Sequence, residues 1–327
     1  VDAPAGGRGG GLVKRLSSSC TQAEREAHAV GAAAVLETLE KGQPVELAGV
    51  VVRGDLRFDR LPMQTVEVPP GLTPEEQKLA KRQESRLVRG ALAIIDSVVW
   101  GSVRHQSVQG TLRFEGPVDF HGTTFKEGVD LSRSVFQATA DLSGAAFQKE
   151  AYFIQGQFMQ ALRCKETKFG PHTRFHRSTF HGPVDCAGAL FDGMAEFLEV
   201  TFEQPAAFER ARFGSGTGFS GSRFMHRAGF DDAIFSRDTF FAFSVFEETA
   251  SFTGAQFLGS ADFSDADFRK PDNLAKARFD KPPFFSRTKR AVREQPADRL
   301  NSAFGPYAVT AGCLLLAAAL VAYILKS

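Results

Sequence analysis

The side chains best suited to chemistry fall into three groups. The run PHTRFHRSTFH places His172, His176 and His181 within ten residues. Three imidazoles are material for a zinc site, which takes three or four ligands at about 2.0–2.1 Å. Glu209 and Asp231 stand 22 residues apart; in a chain that repeats at that interval they would form a close carboxylate pair, the material for acid/base work on a sugar. Cys164 and Cys186 share the same separation. The sequence has no glycine-rich phosphate loop, nucleophile elbow or HExxH.

What would position these groups is a repeat. Phenylalanine occurs 32 times, against 3 tyrosines and 1 tryptophan, a skew that ordinary core filling does not require. Large apolar residues stand at 114, 120, 125, 131, 136, 142, 147, 153 and 158 and continue to Phe268, with spacing that alternates between five and six. Written in elevens, the chain reads VDFHGTTFKEG, VDLSRSVFQAT, ADLSGAAFQKE and later ASFTGAQFLGS. A small residue precedes each large one by two, as at Ala140, Ala145, Ala206, Ala211, Ala250, Ala255 and Ala261. This period-two pattern puts both residues of a pair on one side of a very short strand. The odd steps demand a turn after each strand, with a wider corner in the six-residue steps. The result is a coil, which repeats every 22 residues if two elevens close one turn.

On that coil His176 and His181 each follow an inward phenylalanine. They point outward on adjacent faces, and converge only if a corner His172 joins them. Solvated histidines and no bound metal are therefore expected. Glu209 and Asp231 stack, but no aromatic platform or basic partner is evident in the sequence beside them, so no catalysis is expected. Cys164 and Cys186 replace large core residues on one face and should be vertical neighbours inside the coil. Cysteine fills small apolar space well; a disulfide is the other reading.

The outward surface carries the stronger functional signal. Phe240 and Phe243 flank the inward Phe241 and, with Val245, leave an apolar cluster facing solvent. Leu198 falls on the same face two coils earlier, and GTGFSGS (216–222) between them is nearly free of outward side chains. Met225 and Met159 lie on the neighbouring face, and Tyr152 and Ile154 extend the strip. A flat apolar surface of this kind suits a protein partner.

ADLSGAAF (140–147) and ADFSDADF (261–268) resemble the A(D/N)LxX units of pentapeptide-repeat proteins. The resemblance implies an all-β solenoid, a right-handed quadrilateral β-helix with the central Leu or Phe stacked inside. The five/six rhythm departs from the family's uniform repeat and lengthens each coil. Some members of the family are DNA-mimicking topoisomerase inhibitors that look strongly acidic. Here 39 basic and 38 acidic side chains leave a net charge of +1, which argues against a nucleic-acid mimic or nucleic-acid partner.

The remaining segments read as follows. Residues 1–22 form a flexible start and 23–46 an N-terminal helical cap. The coil occupies 47–58 and 90–280, about eight turns or roughly 35–40 Å at strand spacing. An insertion at 59–89 contains TPEEQKLAKRQESRLV (73–88), read as a helix with Thr73 as N-cap and Glu76 at the third helical position. A charged linker, 281–305, leads to YAVTAGCLLLAAALVAYIL (307–325), uncharged and long enough at roughly 30 Å to span a bilayer, with Tyr307 and Tyr323 at its ends. Arg287, Lys289, Arg290, Arg293 and Arg299 before this span, against Lys326 after it, favour a cytoplasmic coil. The start at Val1 without Met fits a removed signal peptide and an extracytoplasmic coil, and fits initiator-Met removal or a non-ATG start equally well. The expected function is a non-enzymatic, membrane-anchored scaffold or accessory subunit that binds a protein partner and needs no cofactor or small-molecule substrate. The alternatives are an envelope polysaccharide-binding protein or enzyme and, more remotely, a topoisomerase inhibitor.

Overall fold

The computed structural model describes residues 10–65, 84–105 and 110–291. Short parallel strands stack into four sheets of ten, nine, eleven and eleven strands, one per face of a right-handed solenoid of about eleven turns. Face A runs from Leu12–Arg15 through Val45–Ala48 and Ala140–Asp141 to Ala250–Ser251, and face B from Val30–Gly31 through Ala146–Phe147 to Arg278–Phe279. Face C runs from Leu56–Arg57 through Ala151–Tyr152 to Ala261–Asp262, and face D from the Glu84–Val88 strand through Gln157–Phe158 to Lys289–Arg290. Partners sit 22 residues apart through the regular part, as in Ala140 with Leu162 and Phe158 with Phe180.

The five/six rhythm has a backbone cause. Five-residue corners, between faces A and B and between C and D, pass through a left-handed residue such as Gly144 (φ 65°), Gln155 (φ 55°) or Arg177 (φ 54°). From residue 112 to residue 280 the six-residue corners have no such residue and use the extra one to turn more broadly. Inside, equivalent phenylalanines stack one per turn: Phe175, Phe197, Phe219, Phe241 and Phe263 have near-parallel rings with centroids 4.8–5.1 Å apart. Strand spacing sets that distance, and rings from the opposite faces A and C meet edge to face across the core, the arrangement their quadrupoles favour. At several five-residue corners the small inward residue is a serine or threonine whose hydroxyl donates to a carbonyl of the preceding turn, as from Thr167 to Leu142 (2.7 Å) and from Ser178 to Phe153 (2.7 Å). A buried hydroxyl is thereby satisfied.

At the N-terminal end, helix α1 (Gln22–Ala27) is closed by a capping box in which Thr21 and Glu24 bond reciprocally. Helix α2 (Ala32–Glu40) buries Ala32, Val35 and Leu39. It follows the first strand of face B and stands where faces C and D have no strand in that turn.

Three expectations are corrected. The coil has about eleven turns instead of eight, because the strands Leu12–Arg15, Val30–Gly31 and Glu84–Val88 and residues 281–290 wind with it as well. The charged linker therefore starts later than residue 281: Asp262 bridges Phe284, and Lys289–Arg290 pairs with Asp267–Phe268, held by alternating side chains that survive among the charges. The end of the expected insertion helix is not helical. Glu84–Val88 is a face D strand, paired in parallel with Thr111–Phe114 and antiparallel with Met63–Thr65; inward Val88 completes the core there, and burial outweighs helix propensity. The rest of that helix, at 73–83, lies outside the described residues, as does the apolar span 307–325. Among the described residues no helix is long and apolar enough to cross a membrane.

One buried group in this core titrates. His105 is 4% exposed and occupies the face C column between Phe58 and Leu131, as the pairing of Val103 with Leu56 and Val129 requires. Burial pushes its imidazole below the ordinary histidine range, opposed by the carbonyl of Ser132 at 3.4 Å; Arg86 and Arg133 add to the depression and Asp59 opposes it. The unfolded chain therefore takes up the proton first. The contribution is whole above about pH 6.5 and is lost as pH falls from there through the folded-state value. The urea midpoint should drop between pH 7.5 and pH 5, and His105→Leu should flatten that slope; an unchanged slope in the variant would refute the assignment.

Candidate partner-binding face

Face C presents two outward columns. The central one reads Arg57, Arg104, Asp130, Tyr152, Arg174, Glu196, Gly218, Phe240 and Asp262, one residue per turn, with Phe284 bridged to Asp262. Its first part is a charge ladder. The Arg174 guanidinium lies 5.2 Å from the Tyr152 ring centroid and donates from Nε to Glu196 Oε2 at 2.6 Å. Its last part is apolar. Phe240 is 44% exposed and Phe284 59%, although the fold otherwise turns its phenylalanines inward. Phe243, 63% exposed, occupies a left-handed corner (φ 59°) in the corner column that elsewhere holds ion pairs. There Arg177 bonds Glu199 at 2.8 Å, and Arg287 grips Asp265 through two bonds of 2.6 Å. The guanidinium beside each of these carboxylates holds it below the usual range.

The expected strip is thus divided. Phe240 and Phe243 adjoin, and Leu198 lies over the bare backbone of Gly218, since a Cβ there would meet its Cδ2 at 2.7 Å. Val245 is half-buried on face D between Arg223 and Asp267. Met225 is exposed at the corner beyond face D, with half-buried Met159 three turns away on the same side. Tyr152 and Ile154 are separated from Phe240 by the Arg174, His176 and Glu196 cluster, in which His176 Nε2 stands 3.4 Å from Glu196. Two members of the apolar face escaped the sequence reading. Met194 points outward at the start of the face C strand Met194–Glu196, and Phe284 belongs to a turn that the charged composition of 281–290 conceals.

The other candidate groups do not converge. His172 lies on the face C strand His172–Arg174 and His181 Nδ1 meets Glu203 at 2.9 Å. Among the described residues no group of three or more His, Cys, Asp or Glu could hold a metal ion. Glu209 and Asp231 occupy adjacent turns, tied by the Arg210 N–H to the Asp231 carbonyl at 2.8 Å. Glu209 faces Arg227 at 3.9 Å, while Asp231 accepts the Ser251 hydroxyl and, at 2.9 Å, the Thr253 N–H. Cys164 and Cys186 are vertical neighbours inside the coil, as the register requires, and are joined in a buried disulfide.

No curated protein and no solved structure matches the chain. Residues 113–156 and 187–234, in the middle of the coil, match the family described as Pentapeptide repeats (9 copies), and over those stretches the chain is similar to pentapeptide-repeat proteins.

Proposed function

We propose that the chain is a non-enzymatic, membrane-anchored scaffold or accessory subunit whose rigid coil holds face C to a protein partner. The observation that carries this reading is the outward turning of Phe240 and Phe243 beside the flat Gly216–Gly218 backbone, in a fold that buries nearly every other phenylalanine. Exposed aromatic clusters of this sort mark contact surfaces. In this reading α2 is the end cap that shields the open faces C and D from edge pairing, and the uncharged run 307–325 is the anchor. The basic run from Arg287 to Arg299 favours a cytoplasmic coil, and the Cys164–Cys186 disulfide an oxidising compartment. Protease protection of the coil in sealed vesicles decides between the two sides.

The test is extraction of the native membrane in mild detergent, followed by mass spectrometry of what stays bound to the wild type and to Phe240→Asp/Phe243→Asp. A defined complex that the double variant loses is the expected result. A clean monomer in both preparations would remove the scaffold reading.

A further inference from the structure

Face C contains its own template for a missing group. In the column Tyr152, Arg174, Glu196, a guanidinium lies between a ring one turn before it and a carboxylate one turn after it, 5.2 Å from the ring and bonded to the carboxylate at 2.6 Å. The fold places guanidiniums over rings elsewhere too, Arg53 over Trp100 at 5.1 Å and Arg290 over Phe285 at 5.5 Å. Further along the same column stand Phe240, Asp262 and Phe284. Rings and carboxylate recur here without a cation. Asp262 accepts the Ser264 N–H through Oδ1 at 2.8 Å and forms no ion pair among the described residues. Neither phenyl makes a ring contact there, and both are exposed.

We infer that the outward surface at Asp262 binds a guanidinium, the arginine side chain of a protein partner, between Phe240 and Phe284. The inference rests on the reading of face C as a protein-binding surface and names the chemistry that surface takes. Neighbouring turns are about 4.8 Å apart, so the two phenyls stand roughly 10 Å apart across Asp262 and a group midway is about 5 Å from each. That is within the ~6 Å range over which a cation is held by a ring face. A guanidinium fits better than an ammonium because it is planar, weakly hydrated and able to donate two parallel bonds to one carboxylate.

The test uses the full-length protein in an uncharged detergent, titrated by NMR with the tripeptide Ac-Leu-Arg-Leu-NH2 and its lysine and citrulline counterparts. Citrulline keeps the shape and removes the charge. The arginine peptide should bind about tenfold more tightly than the citrulline peptide, and Asp262→Asn, which retains the carbonyl that accepts the Ser264 N–H, should erase that difference. Asp130→Asn, in the same column but without flanking exposed phenyls, should leave it intact. Equal binding of arginine and citrulline peptides, no effect of Asp262→Asn, or no binding of the arginine peptide to the wild type would overturn the inference. If the Phe240→Asp/Phe243→Asp protein still loses a co-purifying complex in that event, the scaffold reading stands and the guanidinium is wrong; if no complex exists, both fall.

Discussion

Phe219→Ala is expected to destabilise the coil by about 3–5 kcal/mol, the range for removing a buried aromatic ring. Phe219 is fully buried. Its ring stacks on Phe197 at 4.8 Å and Phe241 at 4.9 Å and meets Phe208 and Phe230 edge to face at 5.6 and 5.4 Å. The hole left behind has little means of closing, because each neighbouring ring hangs from a strand held at a fixed height by its ladder bonds, such as Phe219 N–H to the Phe240 carbonyl at 2.7 Å. Cavities that cannot collapse cost most. Phe240→Ala, one residue type removed from the outside of the same coil, should stay within about 0.5 kcal/mol. Urea midpoints of the two variants make the comparison; similar losses would mean that Phe240 is packed and the exposed face is misread.

An even smaller chemical change should be comparably damaging at Gly193. A Cβ built there would lie 1.9 Å from the Pro171 carbonyl oxygen and 2.3 Å from its carbon, one turn below. Both are backbone atoms, so relief requires shifting a whole turn. We expect Gly193→Ala to cost about 3 kcal/mol or more, the upper range of overpacking. Gly144 gives the contrast. It sits in a left-handed corner at φ 65°, with nothing nearer than 3.9 Å to an added Cβ, so Gly144→Ala should cost the conformational penalty alone, about 1–2 kcal/mol. Thermal unfolding of both variants tests this, and a mild effect at Gly193 would show that the wide corners are softer than the stacked backbone implies.

These contrasts mark how much could be read without coordinates. The inward sides of the faces and the outward direction of Phe240 and Phe243 follow from spacing, because strand side chains alternate and only one phase buries the phenylalanines; the 22-residue turn follows once the five/six rhythm is set on the four faces that the resemblance implies. His105 could have been found the same way, since it stands at an inward position of GSVRH, two residues after Val103. Phe284 could not. Its turn lacks the regular elevenfold phrasing, and Lys281, Arg287, Lys289 and Arg290 read as linker until Asp262 and Asp267 are seen to pair with it. The strand Glu84–Val88 was concealed by good helix formers upstream; its state is decided by Thr111–Phe114, distant in sequence and adjacent in space.

The sequence by itself determined the coil and its core, since burial of a periodic apolar set is a local, additive preference repeated at every turn. What only the tertiary structure decided is which outward residues become neighbours and with what partners. Glu196 is spent on Arg174, whereas Asp262 stands in the column between Phe240 and Phe284 and forms no ion pair among the described residues. Those differences arise because stacking at a 22-residue interval brings together side chains whose identities no local rule relates, and on the solvent side no burial requirement constrains them.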